Sequence, residues 1–406
     1  LSIIVQKFGG TSVSTNERRS MVVDKIMHVK NQGKSVVVVV SAMGRKGDPY
    51  ATDTIRNLAL ETNPYCSLKN IDLLMSCGEI ISAVSLASML ELSNEKTVVL
   101  TGAQAGIVTD DNFSNAEILN IDEGKILPYL EEGYIVIVCG FQGATDKGEI
   151  TTLGRGGSDT TATALGVALG AQQVEIYTDV DGIMTADPNV VPTAKIIDEI
   201  NYADVFQMAD KGAKVIHPRA VEIAQKGNIL VKIKNTMSDH PGTSICYCRG
   251  NKENLYSTDT TQKLLTAITS KDHIAQVSIL MEDNLERDSQ LLAALSDAKI
   301  SIDMINFFVD RKVFVIDETQ VPLIHKILKK MNVQYTILDD CSKVTIIGSR
   351  ITGIPGVMST IVRALSNEQI KILQTSDSQS TISCLVKKPD AKRAVNILHE
   401  AFHLYK

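Results

Sequence analysis

Residues 2–12, Ser-Ile-Ile-Val-Gln-Lys-Phe-Gly-Gly-Thr-Ser, run from a short apolar, β-branched segment straight into a glycine turn that carries Lys7. A continuous apolar run of this length reads as a strand buried on both faces. Similar runs follow at Ser35–Val40, Thr97–Leu100, Ile135–Val138 and Val174–Tyr177. Segments of helical period lie between them, at Arg18–Lys30, Thr52–Leu60, Asp72–Leu92 and Thr160–Leu169. This alternation predicts an α/β unit over residues 1–235, with a mostly parallel sheet sandwiched by helices. Ligands of such sheets sit at the carboxyl ends of the strands. The glycine turns fall there, at Lys7–Ser12, Ser41-Ala42-Met43-Gly44 and Gly140-Phe141-Gln142-Gly143.

The second informative stretch is 153–162, Leu-Gly-Arg-Gly-Gly-Ser-Asp-Thr-Thr-Ala, directly before a helical run. It offers backbone amides, a guanidinium and a carboxylate at a helix N-terminus, a setting for an anion. Arg155 between its glycines suits a bidentate grip on a carboxylate. Ser158 and Asp159 read as helix caps as well as site residues. Lys7 is a point charge able to reach phosphate oxygens, and Gly9 and Gly10 permit close backbone approach. Two such turns imply an enzyme that holds two anionic molecules face to face. The GxxxxGK[ST] order of Walker-type proteins is missing.

Glu79, at the start of the run Ile80–Leu90, has two readings that spacing leaves open: a first-turn helix charge or a partner for a ligand ammonium. The turn Tyr177-Thr178-Asp179-Val180-Asp181-Gly182 lacks the spacing and terminal glutamate of an EF-hand. A loop facing a nucleotide or a plain turn fits it better. His217 has no nucleophile elbow beside it, and the seven histidines form no metal-ligand cluster.

Residues 236–262 are polar and turn-rich and read as a linker. Beyond them the order strand, helix, strand, strand, helix, strand occurs twice. Val277 and Val344 are equivalent points, which sets a repeat of 67 residues, too long for a solenoid unit and suited to a duplicated βαββαβ domain. The copies are expected at 263–340 and 341–406. The second lacks its last strand, and the spare strand Leu264–Ser270 is expected to complete it.

The chain has 406 residues, 44% hydrophobic and 22% charged, enough for two or three domains with ample cores. Its net charge of −6 and 4% aromatic content exclude nucleic acid as an expected partner. No apolar run reaches the about 18 residues of a bilayer span, and no secretory signal opens the chain. Seven scattered cysteines read as reduced thiols of a cytoplasmic protein.

Together, VQKFGGTSV (5–13), SAMG (41–44), Ser76-Cys77-Gly78-Glu79, GFQG (140–143), LGRGGSDTTA (153–162), YTDVDGIMTADP (177–188), GAKVIHPRAVE (212–222) and Gly353-Ile354-Pro355-Gly356 resemble the amino-acid kinase superfamily. Within it they resemble the aspartokinases, in family order over essentially the whole chain. The C-terminal repeat resembles paired ACT domains, which bind amino acids as effectors. The end at Lys406 resembles the monofunctional type, with no appended homoserine dehydrogenase.

The resemblance implies phosphorylation of L-aspartate by ATP, giving 4-phospho-L-aspartate and ADP at the head of lysine, threonine and methionine synthesis. Lys7 would neutralise the transferring phosphoryl group, and Asp159 would orient the lysine and neighbouring groups. Arg155 would hold the α-carboxylate and Glu79 the α-ammonium, with Ser41, Thr52, Phe141 and Ser158 lining the pocket. Lys7, Gly9, Gly10, Thr178, Asp179, Met184, Pro188 and Lys214 would hold the nucleotide, with Mg²⁺ bridging its phosphates and no metal held by protein ligands.

An effector would meet Asp283, Ile302 and Asp303, and the ACT units would carry a homodimer or part of a tetramer. Two departures from the family pattern stand out: Asn189 replaces a common arginine, and Met281–Glu286 replaces a Pro-Gly turn. The alternatives are a glutamate-kinase-like enzyme and a non-catalytic amino-acid sensor.

Overall fold

The structure, a computed structural model, describes residues 1–213, 215–247, 265–281, 284–349, 351 and 354–405. The chain divides into two compact units. The first is Leu1–Ile183 with Ile196–Ala209 and Lys214–Lys252; the second is Met184–Lys195 with Asp210–Ala213 and Glu253–Lys406.

The first unit opens with β1 (Ile3–Phe8), α1 (Asn16–Lys30), β2 (Ser35–Val40), α2 (Thr52–Thr62), α3 (Leu68–Glu91), β3 (Thr97–Leu100), β4 (Ile107–Thr109) and β5 (Ile118–Ile121). It continues with α4 (Leu127–Glu131), β6 (Ile135–Cys139), β7 (Gln142–Ala144), β8 (Ile150–Thr152), α5 (Gly157–Ala168), β9 (Gln173–Thr178), β10 (Glu199–Asn201), α6 (Tyr202–Asp210), α7 (Pro218–Lys226), β11 (Leu230–Asn235) and β12 (Thr243–Cys246).

Eight strands form one sheet in the order β10-β12-β11-β9-β1-β2-β6-β3. All its pairings are parallel except β11 with β12. Ile4 and Phe8 of β1 pack with Val36, Val38 and Val40 against α1 and α3. The alternate residues face α5, which is why Lys7, between Gln6 and Phe8, points toward that helix. A small second sheet, β5-β4-β7-β8, lies beside the main one.

Residues 236–247 correct the expected linker. Val231 pairs with Ile245 and Lys232 with Ser244, so β12 is part of the main sheet. Residues 248–262 of that expectation lie outside the described residues. Helix α3 is long and apolar enough to cross a bilayer by length and composition. Run length alone misses it because Asp72 and Glu79 interrupt the run. It packs against α1, β3, β6 and β8 within the unit.

The second unit contains β13 (Leu265–Leu280), α8 (Leu285–Asp297), β14 (Asp303–Phe307), β15 (Arg311–Asp317), α9 (Val321–Lys330), β16 (Gln334–Gly348), α10 (Val357–Asn367), β17 (Gln374–Asp377), β18 (Thr381–Lys387) and α11 (Lys388–Ala401). Its strands order as β14-β15-β13-β16-β18-β17. Each copy of the repeat therefore shares one sheet with the other.

Residues Leu265–Lys271 of β13 pair with Lys343–Gly348 of the second copy, while Gln276–Leu280 pair with Gln334–Leu338 of the first. Gln374 at one edge hydrogen-bonds to the Met304 carbonyl and to Asn306 Oδ1 at the other, so the sheet curls until its edges meet. Ile274, Met304, Val315, Cys341 and Leu385 fill a small core of their own within this unit. Left-handed residues recur in pairs that report the duplication: His273 with Asp340, Lys299 with Gln369, and Asn332 with His403.

Candidate active site

Lys7 Nζ lies 2.7 Å from Asp159 Oδ1, and both side chains are largely buried. The contact brings the carboxyl end of β1 to the first turn of α5. That turn is capped by Gly156, in a left-handed conformation (φ 66°), with no side-chain cap. Ser158 and Asp159 therefore sit inside the helix, which corrects the capping role expected for them. Asp159 is left to the lysine. A Cβ at Gly156 would also lie 2.2 Å from His217 Cβ, so this position needs glycine for both its φ and its packing.

The two glycine turns interlock. Gly9 donates to the Tyr177 carbonyl, Gly44 to that of Gly10, and Ser41 to that of Phe8. A Cβ at Gly10 would stand 2.5 Å from the Ala42 carbonyl oxygen, so the close approach depends on its absence.

Glu79 lies mid-helix in α3 and is 1% exposed. This removes the first-turn reading. Its Oε1 accepts a hydrogen bond from Ala42 N at 3.0 Å, and its Oε2 is buried without a hydrogen-bond partner. Burial pushes the carboxyl up to about 8, against the opposing Ala42 amide bond. An orphaned, buried carboxyl oxygen is costly unless a ligand completes it.

Phe141 adopts a left-handed conformation (φ 68°), and its amide donates to Thr161 Oγ1 at 3.1 Å. Ser158 is buried and packs where a Cβ at Gly140 would fall, 2.9 Å from the Ser158 Cβ. Ser41 and Thr52 are half-buried, and Arg155 is exposed. His217 sits within electrostatic reach of both Asp159 and Arg155. Burial is the largest influence on its imidazole and holds it below the ordinary range, opposed by Asp159 and reinforced by the arginines. Its Nδ1 accepts from Arg219 N at 3.4 Å at the start of α7.

In the loop after β9, Thr178 Oγ1 donates to Asp179 Oδ1 at 3.2 Å, and Asp179 pairs with Arg45. Only tertiary structure reveals that pairing, which joins Arg45 to a residue expected to face the nucleotide. Asp181 accepts from Asn235 Nδ2 (2.9 Å) and Ser238 Oγ (2.6 Å), bonds that hold its carboxyl below the ordinary range and mark it as structural. Met184 and Pro188 belong to the segment 184–195 of the second unit. Lys214 and Asp283 lie outside the described residues.

In the second unit, Asp303 forms an ion pair with Lys343, whose side chain is 3% exposed. Burial raises the Asp303 carboxyl, and the lysine outweighs it, leaving it below the ordinary range. Ile302 packs at the margin of the core formed by α8, α9 and their strands. The carboxylate expected to receive an effector ammonium is thus already engaged within the chain.

The chain matches the profile of the amino acid kinase family over residues 2–235 and that of an ACT domain over residues 336–400. It is 42% identical over 409 residues to aspartokinase 1 of Bacillus subtilis (strain 168), covering all of both chains. Among solved structures it resembles E. coli aspartokinase III in complex with aspartate and ADP (R-state), with 27% identity, a TM-score of 0.78, and coverage of 98% of this chain and 99% of that one. The lysine and aspartate complex of the same E. coli protein (T-state) matches at 26% identity with a TM-score of 0.76, over the full length of both chains.

Proposed function

The chain belongs to the amino acid kinase family and, within it, to the aspartokinases, and from that premise we propose that it transfers the γ-phosphoryl group of ATP to the β-carboxylate of L-aspartate under amino-acid feedback. The observation that carries this reading is the Lys7–Asp159 pair at the carboxyl end of the sheet's central strand. A β-carboxylate is ionised at neutral pH, so the reaction needs no strong base. It needs two mutually repelling anions brought into line.

Lys7, aimed by Asp159, supplies positive charge where the phosphoryl group transfers. Arg155 grips the α-carboxylate, while the orphaned Oε2 of Glu79 accepts the α-ammonium. Ser41, Thr52, Phe141 and Ser158 form the walls. Gly9, Gly10, Thr178, Asp179, Met184, Pro188 and Lys214 serve the nucleotide.

Magnesium enters this reading as a cation carried on the nucleotide phosphates. Among the described residues no cluster of three metal-binding side chains exists, and Asp159 and Asp179 are each paired with a cation. This donor set fits a metal held by the substrate, which when bound would supply charge neutralisation.

The ACT pair is the seat of feedback, with Ile302 and Asp303 toward the effector, whose ammonium would compete with Lys343 for the Asp303 carboxylate. Ile305 and Phe307 of β14, with Phe308 and Val309 just after it, are exposed, and such an apolar surface favours cover by a second copy, giving a homodimer. The six described cysteines are all free, which fits a reducing cytoplasm.

An ATP-dependent hydroxamate assay comparing aspartate with glutamate tests the central claim. Turnover with aspartate is expected; preference for glutamate, or no ADP release with saturating aspartate, would refute it.

A further inference from the structure

Asp72 is a wholly buried carboxylate that no step above uses. Its Oδ2 accepts from the backbone amides of Ser114 and Thr152, each at 2.8 Å. Its Oδ1 accepts from the Ser114 and Thr152 hydroxyls, each at 2.9 Å. Burying a charge is expensive unless its oxygens are saturated, and here both are.

These four bonds join three segments. Asp72 and Glu79 stand about two turns apart on the same buried face of α3. Thr152 ends β8, three residues before Arg155. The Ser114 loop packs on Gly154, where a Cβ would lie 2.8 Å from Asn115 Oδ1. A second tie reinforces the first: Gln142 Nε2 donates to the Ser76 carbonyl of α3 at 3.0 Å, and Leu153 N to the Phe141 carbonyl at 2.9 Å. The helix bearing Glu79 is thereby fixed to the strands and turn that bear Phe141 and Arg155.

We propose that Asp72 is the positioning residue that holds Glu79 and Arg155 at one separation, and that this rigidity makes the site select a four-carbon amino dicarboxylate over its five-carbon homologue. The inference rests on the assignment of Glu79 and Arg155 to the two α-substituents. With the α-end clamped, the distal carboxylate of aspartate reaches Lys7, and one extra methylene overshoots. A loosened clamp tolerates the overshoot.

The test compares the full-length parent with Asp72→Ala, Asp72→Asn and Thr152→Val, measuring KM for aspartate and ATP, the aspartate-to-glutamate ratio of kcat/KM, and thermal unfolding. Asp72→Ala is expected to raise aspartate KM by ~10-fold or more and to lower the ratio by a similar factor, leaving ATP KM within about twofold. Asp72→Asn recovers most of this loss, because its amide oxygen accepts the two backbone N–H groups and its NH2 donates to the two hydroxyls.

Should Asp72→Ala fail to fold, Thr152→Val, which removes one hydroxyl only, is expected to raise aspartate KM by about threefold without moving ATP KM. A folded Asp72→Ala with both KM values moving together, or with an unchanged ratio, overturns the proposal. So does an Asp72→Asn as impaired as the alanine variant, or a Thr152→Val that matches the parent where the alanine variant cannot be measured. A parent that does not use aspartate overturns the assigned function instead, so the two failures are distinct.

Discussion

Lys7 Nζ stands 2.7 Å from Asp159 Oδ1, so the end of the central strand and the first turn of the helix covering it are joined by charge. Both side chains keep a little contact with solvent, 12% and 13% exposed.

Lys7→Ala removes the cation that the proposed mechanism sets against the transferring group. Turnover is expected to fall by ~10²-fold or more, with the fold retained, when ADP release is followed at saturating substrates. Asp159→Asn leaves the lysine in place but unaimed, and its loss of kcat is expected to be smaller. Near-parental turnover in Lys7→Ala would remove the lysine from the chemistry.

In the proposed assignment, with Glu79 receiving the α-ammonium, aspartate affinity depends on pH. With its carboxyl pushed up to about 8 by burial, the free enzyme holds it mostly protonated at neutral pH, and an ammonium ligand requires it ionised. Aspartate KM is therefore expected to fall as pH rises from 6 toward about 8, with proton release on binding seen by calorimetry in buffers of different ionisation heat. The stability sign is opposite. The folded state binds the proton more tightly than the unfolded chain, so stability from this group declines as pH rises from the unfolded value of 4.5 to about 8. Glu79→Gln is expected to weaken aspartate binding and flatten both dependences.

Asp303 and Lys343 form an ion pair in which only the lysine is buried. Asp303→Asn strands a nearly inaccessible ammonium, whereas Lys343→Met leaves a half-exposed carboxylate that water can reach. Breaking the pair from the acidic side is expected to cost less than the about 3–5 kcal/mol of a fully buried pair, because water screens the carboxylate, and Lys343→Met is expected to cost less still. The carboxyl of Asp303 lies below its ordinary range, so the contribution is present at neutral pH and is lost as pH falls through that lowered value. Thermal unfolding at pH 7 and pH 4 reads both effects.

Phe307→Lys on the exposed apolar surface of β14 is expected to shift the protein toward monomer in light scattering at micromolar concentration. Basal activity is expected to be retained. A mass unchanged from the parent would place the subunit contact elsewhere.

Much of this was legible in residue order. Strands such as Ser35–Val40 and Ile135–Cys139 are continuously apolar because both faces are covered, and a run of valines has few other uses. Lys7 and Asp159 were legible because glycines flank them where a strand or helix meets a turn. The small sheet was not, since β7 and β8 are three residues long and bury Gln142, Thr151 and Thr152, whose polarity argues for a loop until their partners are known. The strand β12 was hidden in a polar segment because it lies near the edge of the sheet. Glu79 stayed ambiguous because its helix begins eleven residues earlier, after the Ser67 cap. The pairing of Asp179 with Arg45 joins residues 134 positions apart, and no local pattern encodes it.

β13 is 16 residues long, a rod of roughly 50 Å at about 3.3 Å per residue, and it is threaded through both repeats with register shifts between Leu265 and Ala267 and on both sides of Ile274. Neither repeat can be excised intact, since each would leave behind a piece of its own sheet. The two repeats of this chain are therefore one cassette, joined by a single uninterrupted strand.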